Sequence, residues 1–304
     1  MNKLIPTLLL MGIAITGHAL ETYLTMENDC FCTHSDNDFS HGTGLEVIND
    51  LFHYKIGQNM YTPGDLRKTE HIKGDRPYAG MLYGGVGYEF FRDPESPWSH
   101  YGELDFGIIG PGAMCKDTQT AIHKLLNCRQ PMGWDHQLHN EFVVNGQWWT
   151  KYNWYLCDYV ALVPRVGVLA GTIQDAIEGG CDLKIGWNMK QYRSSGDKES
   201  GNTMMFSAGN PSAKTWYEKL SCWIYAGIDE RYYLYNHLLE GSMFNHKDDD
   251  LAVSIEHFVP EFRYGVVVRY DRFYFTYYAC MRGDEYKGQK RSPDYGGFCV
   301  GWTW

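Results

Sequence analysis

The chain has 304 residues, 44% of them hydrophobic and 21% charged, with 23 Tyr, 14 Phe, 10 Trp, 33 Gly and a formal charge of -10. This aromatic density excludes intrinsic disorder, and so much Gly, Tyr and Trp argues against a helical bundle. A sequence pI near 5.6 argues against a nucleic-acid partner, and a mean hydropathy of -0.42 argues against a polytopic helical membrane protein.

Residues 1–19 read as a secretory signal. Lys3 supplies the positive start, Leu8 to Ile15 the apolar run, and Gly17-His18-Ala19 the small residues before a cleavage site after Ala19. The run is shorter than the ~20 apolar residues an uncleaved anchor needs. Residues 20–304 are then one exported domain, without linker, repeat or low-complexity tract.

Glu27-Asn28-Asp29 opens this domain, followed by Asp38-Phe39-Ser40-His41-Gly42. Adjacent strand side chains point to opposite faces, so only one of Asn28 and Asp29 faces inward on a regular strand. An ordinary turn, with Asn and Asp in turn roles, is the competing reading. The polar stretch 61–80 carries Arg67, Lys68, Lys73 and Arg76. Arg67 and Lys68 suit phosphate oxygens as well as plain loop duty, whereas Asp75 and Arg76 read as backbone-fixing residues.

Strict alternation follows. Leu104, Phe106 and Ile108 oppose Tyr101, Glu103 and Asp105; Ile224 and Ile228 oppose Tyr225, Asp229 and Arg231. In 262–271, Phe262, Tyr264, Val266, Val268 and Tyr270 oppose Arg263, Gly265, Arg269 and Asp271, with only Val267 out of place. Phe298, Val300, Trp302 and Trp304 alternate to the end of the chain. Period two means strands with one apolar and one polar face. A soluble sandwich and a transmembrane barrel both satisfy it. Mid-strand charges, aromatics crowded at strand ends and the terminal aromatic favour the barrel. The fold class is therefore all-β, an antiparallel transmembrane β-barrel. At about 24 residues per strand with its turn, it has about 12 strands of the ~9–11 residues needed to cross.

One segment breaks the period. In 117–128, Ala121, Ile122, Leu125 and Leu126 recur at helical spacing, with Asp117 or Thr118 placed to cap the start. This predicts a short extracellular loop helix whose apolar stripe lies on the rim or touches lipid. His123 stands beside Gln119 rather than within that stripe. It suits either a structural role or a general base. Gly133 to Glu141 then offers His123 supporting partners, or simply starts the next strand.

Nine cysteines in an exported chain make disulfides plausible, and an odd count leaves one unpaired in the monomer. No GxSxG or HExxH motif is present.

These clusters, in this order, resemble the outer-membrane lipid A 3′-O-deacylase family. The matching pieces are ENDCF at 27–31, DFSHG at 38–42, YTPGD at 61–65, KGDRPYAG at 73–80, GIIGPGA at 107–113, IHKLL at 122–126, GWDHQLHNE at 133–141 and NHLLEG at 236–241. The resemblance implies a 12-stranded barrel in the bacterial outer membrane, with an active site facing the outer leaflet between wall and loop helix. It implies Ca²⁺-dependent removal of the 3′-linked acyloxyacyl chain from lipid A or lipopolysaccharide, by a mechanism like that of secreted phospholipase A2. Carried over by position, the catalytic residues are His123, Asn28, Asp29 and Ser40. Asp29 is the metal ligand, and Arg67, with Lys68 beside it, holds the substrate. No protein partner is implied.

Two features depart from the family. An acidic residue can follow the helix histidine, but here the stretch reads Asn127-Cys128-Arg129-Gln130. Glu141 or Asp135 would have to replace it, or the chain is an inactive member. Cys115 and Cys128 flank the helix and are expected to form a disulfide. The rival functions are an outer-membrane phospholipase using Ser40 with His41 or His123, and a porin or adhesin barrel indifferent to His123.

Overall fold

Outward apolar and inward polar side chains alternate along every long strand of the computed structural model, which describes residues 20–32, 38–90, 96–191 and 215–304. The expected signal segment 1–19 lies outside the described residues. The strands are β1 (Leu20–Asn28), β2 (Asp38–Asn49), β3 (Phe52–Thr62), β4 (Ala79–Phe90), β5 (Trp98–Ile109), β6 (Glu141–Tyr152) and β7 (Trp154–Cys157). They continue with β8 (Val160–Gly171), β9 (Gln174–Trp187), β10 (Leu220–Asn236), β11 (Phe258–Tyr270), β12 (Phe273–Arg282) and β13 (Tyr295–Thr303).

Neighbours in sequence pair antiparallel, β1 pairs with both β2 and β13, and β6 pairs with β8 to close the ring. The short β7 continues β6 past Asn153 along the same partner, β8. The segments therefore form a closed barrel of twelve strands, as the period-two pattern predicts. Closure removes the unpaired edge that hydrocarbon would penalise.

Leu24, Ile56, Val86, Leu104, Ile224 and Ile228 are exposed on the outside. Their strand neighbours Tyr23, Tyr101, Glu103, Tyr225 and Asp229 are buried inside. Val267, the one residue out of step, is an apolar member of the inward row and fully buried. Exposed Phe52, Trp98, Trp154, Trp187, Phe273 and Trp302 ring the end where β1 begins and β13 ends. This is an interfacial girdle.

Charges fill the lumen. Arg165 and Arg263 both bridge Asp182 and Asp229, with Arg263 Nε 2.9 Å from Asp229 Oδ2 and Nη2 3.0 Å from Asp182 Oδ1. All four are buried. Lys55 pairs with Glu103 and Asp105, and Arg231 with Glu178. Such ions persist away from bulk water only because each has a partner.

The far end carries the longer connections 63–78, 110–140, 237–257 and 283–294. The helix α1 (Cys115–Leu125) lies in the second of these, and α3 (His237–Glu240) in the third; α2 (Trp216–Lys219) is at the opposite end, where β1 begins. Among the described residues no helix is long and apolar enough to cross a membrane.

Candidate functional site

The wall itself supplies the first half of the site, on its outer face. In β1, Leu24 is exposed while Tyr23, Thr25 and Glu27 are buried, so period two puts Asn28 on the outward row. Alternation alone would send Asp29 into the lumen. Instead β1 ends at Asn28, and Asp29 opens a single 3-10 turn in which it is buried. Asn28 caps that turn: its Oδ1 accepts from Cys30 N at 2.9 Å, and its Nδ2 donates to Ser40 O at 2.5 Å.

Ser40 sits where the β2–β3 register shifts between Phe39 and His41. The extra residue makes a bulge that re-aims a side chain. Phe39 turns inward, with its ring 5.4 Å from Tyr61 and 5.0 Å from Tyr295. Ser40 Oγ lies 2.5 Å from Thr62 Oγ1, and both residues are buried. Asn28, Ser40 and Thr62 thus form one hydrogen-bonded row across three strands.

The connection 110–140 folds back over the outside of β3–β5. Met60 belongs to the outward row of Ile56 and Gln58, yet it is fully buried because Ala113, Cys115 and Trp134 cover it. Gln58 Nε2 donates to Ala113 O at 2.6 Å. Gly80 permits this close approach, since a Cβ there would come 2.7 Å from Cys115 Sγ.

The helix on this connection starts at Cys115 rather than at 117. Its N-cap is Met114 in the left-handed region, and neither Asp117 nor Thr118 caps it. Thr118 Oγ1 instead donates to Met114 O at 3.2 Å. Its buried stripe is Cys115, Gln119 and His123, four residues apart. The apolar stripe faces away from the protein, with Leu125 84% and Leu126 64% exposed. That inversion suits a helix bathed in lipid rather than water.

His123 Nδ1 is hydrogen-bonded to Arg129 O. A carbonyl only accepts, so Nδ1 carries the proton and Nε2 keeps its lone pair in the neutral ring. The backbone at 129 therefore orients the imidazole, the task an acidic side chain would otherwise do. Glu141 is engaged elsewhere, by Ser242 Oγ and Asn245 Nδ2, each at 2.8 Å. Asp135 pairs with Lys116 at 2.6 Å, which holds its carboxyl below the usual range. Further bracing comes from Trp134, whose Nε1 donates to Gln119 Oε1 at 2.7 Å and whose ring lies 4.9 Å from Tyr78.

The expected Cys115–Cys128 disulfide is absent; both thiols are free. Cys115 is the first residue of α1 and Cys128 lies three residues past its last, so a helix of 11 residues, about 16 Å long, stands between them. A disulfide tolerates only about 7 Å between Cα atoms.

Arg67 does not reach the Asn28–Ser40 row. Its Nε and Nη2 hold Asp65 at 2.7 and 2.8 Å, its side chain is 66% exposed, and this fork keeps the Asp65 carboxyl well below its usual range. Lys68 is exposed beside it. Arg76 is buried, pairs with Glu285 at 3.1 Å and lies over the Tyr61 ring, a scaffold role as its sequence context suggests.

Sequence reasoning missed Thr62, Gly80 and the Trp134–Gln119 brace. Thr62 lies inside the quoted YTPGD piece, but only the bulge shows which residue it serves.

Among the described residues no three His, Cys, Asp or Glu side chains converge as a metal cluster. A hard cation such as Ca²⁺ also takes carbonyl, hydroxyl and water oxygens. Buried Asp29, in a turn whose backbone carbonyls stand at the end of the wall, fits such a single-carboxylate site. Asn28 Oδ1 accepts from Cys30 N and keeps a second lone pair.

Among solved structures the chain is similar to "LpxR from Salmonella typhimurium", with 18% identity, a TM-score of 0.77 and coverage of 93% of this chain and 99% of that one. It is also similar to the β domain of the Bordetella autotransporter BrkA (11% identity, TM-score 0.39, covering 94% and 97%) and the translocator domain of NalP from Neisseria meningitidis (10%, 0.41, 96% and 90%). No curated protein matches. The family model described as "Outer membrane protein LpxR" matches residues 4–304. That match spans nearly the whole chain, which therefore belongs to the LpxR family of outer-membrane proteins.

Proposed function

We propose that this protein is a lipid A 3′-O-deacylase, a carboxylic ester hydrolase that removes the 3′-linked acyloxyacyl chain at the outer leaflet, with its far end facing the cell exterior. One observation carries the reading: a buried polar row, Asn28–Ser40–Thr62, on the lipid side of the barrel wall, with a histidine-bearing helix folded over the same outer wall. Polar groups on that face are costly unless they serve a ligand or one another. A lipid ester reaches this place by moving sideways in the membrane.

In this mechanism His123 Nε2 takes a proton from water as the oxygen adds to the ester carbonyl. The same imidazolium returns the proton to the departing sugar oxygen. The Arg129 carbonyl keeps the ring in the required tautomer throughout. Asn28 and Ser40 form the polar wall against which the ester rests, and Arg67 and Lys68 lie in solvent where lipid phosphates pass. Asp29 would hold Ca²⁺, which when bound supplies positive charge for the carbonyl oxygen.

A porin reading leaves the polar row on the outer face of the wall without a purpose. A phospholipase shares the same chemistry and differs only in substrate. The test is mass spectrometry of lipid A and phospholipids from cells expressing the wild type or His123→Ala. Loss of one acyloxyacyl unit only with the wild type supports the reading. Unchanged lipid A with new lysophospholipid would replace it with the phospholipase.

A further inference from the structure

The connection 110–140, which carries α1, leaves β5 after Ile109 and enters β6 at Glu141, so its two roots meet at the far-end rim. They touch with no side chain between them. Gly110 has a φ of 98°, and a Cβ there would come 2.6 Å from the carbonyl carbon of His139. Gly112 N donates to Asn140 Oδ1 at 2.6 Å. Two residues further on, Met114 is the N-cap of α1. A separate connection, 237–257, clamps this junction. Its Asp248 is 2% exposed, and Asp248 Oδ1 accepts from His139 N at 3.1 Å and from His139 Nδ1 at 2.7 Å. The carboxylate accepts, so Nδ1 carries a proton. The Asp248 carbonyl in turn accepts from Leu251 N and Ala252 N at 2.9 and 3.0 Å, which ties the clamp to its own connection. Neither His139 nor Asp248 has a part in the chemical steps above.

We infer that Asp248 is a positioning residue for the proposed hydrolysis: its grip on His139 fixes the roots of the connection 110–140, and through them the place of His123 against the outer wall. The inference rests on the reading of His123 as the base. From Cys115 to His123 the helix rises about 12 Å, so a small rotation at the roots becomes a larger shift at the imidazole. A misplacement of about 1 Å can cost about 10²-fold in rate. Arg67 and Lys68 stand on a different connection, 63–78, so loss of the clamp slows the chemistry without weakening the hold on substrate.

The experiment combines hydrogen–deuterium exchange of the full-length protein in detergent with deacylation kinetics on lipid A in mixed micelles. Exchange rises where a lost contact lets a segment open locally. Asp248→Ala should raise deuterium uptake across 111–128, while β3, β4 and β5 exchange as in wild type, which also checks folding. Its kcat should fall by about 10–10²-fold, with KM near the wild-type value. Asp248→Asn keeps an oxygen that accepts from His139 N and Nδ1, and should bring both readouts back near wild type. His139→Ala cuts the same clamp from the other side and should shift both readouts as Asp248→Ala does; it carries the test if Asp248→Ala does not fold. Unchanged uptake across 111–128, an unchanged kcat, a rise in KM alone, or no recovery in Asp248→Asn overturns the proposal. A wild type that leaves lipid A intact overturns the deacylase reading instead, and uptake across 111–128 still decides whether Asp248 holds the connection.

Discussion

Ser40 Oγ and Thr62 Oγ1 share one 2.5 Å hydrogen bond at the end of the β2 bulge, and neither residue is exposed. One hydroxyl donates in that bond, so Thr62 decides whether the Ser40 proton is free to point toward a ligand. Thr62→Val leaves Ser40 without this partner, a loss of about 1–3 kcal/mol for a buried polar group. Turnover of lipid A should fall about tenfold or more in Thr62→Val and recover in Thr62→Ser. Equal rates for Thr62→Val and wild type would remove Ser40 from the site.

His123→Ala should lower deacylation by about 10²–10⁴-fold, the usual contribution of a positioned base. The barrel should remain heat-modifiable, because α1 lies outside the closed sheet. Arg129→Ala should retain activity within about threefold, since its backbone carbonyl, not its guanidinium, holds Nδ1. A collapse of activity in Arg129→Ala would assign the work to the side chain instead.

If Asp29 holds the proposed Ca²⁺, chelation should abolish lipid A deacylation and excess Ca²⁺ should restore it. With one carboxylate in the donor set, half-restoration belongs at about 10⁻⁴–10⁻³ M, where low-charge extracellular sites bind. Asp29→Asn should need more Ca²⁺ or fail outright. Isothermal titration of the purified protein reads the binding apart from activity.

The thiols of Cys115 and Cys128 should behave differently. Cys128 is exposed, whereas Cys115 is buried against Gly80 and its thiol is pushed up to about 12 by burial. A thiolate is the reactive form. An alkylating reagent at pH 8 should therefore label Cys128 quickly and leave Cys115 untouched until the protein is unfolded. Peptide mapping that finds a 115–128 linkage would contradict this.

Much of the fold was legible because a strand repeats every two residues. Ile224, Ile228 and Phe262 had to share one face, and Asp229 and Arg263 the other. The site was legible less evenly. The ordered clusters named Asn28, Asp29, Ser40 and His123, yet nothing in them showed that Asn28 and Ser40 face outward. That depends on a one-residue bulge and on β1 stopping at Asn28, both set by partners on other strands. The apolar residues of α1 had the right period, but their direction depends on the solvent, and lipid reverses it. Arg129 looked like a defect because sequence displays side chains, whereas its contribution is a carbonyl every residue possesses.

The lattice of Arg165, Arg263, Asp182 and Asp229 spans four neighbouring strands. Removing one member, as in Arg263→Ala, strands buried charges and should cost about 3–5 kcal/mol, measurable as a lower urea midpoint in refolding from detergent. Intact, these four side chains tie β8, β9, β10 and β11 together from the inside. One electrostatic knot thus binds four of the twelve staves, and a single missing charge loosens a third of the cylinder at once.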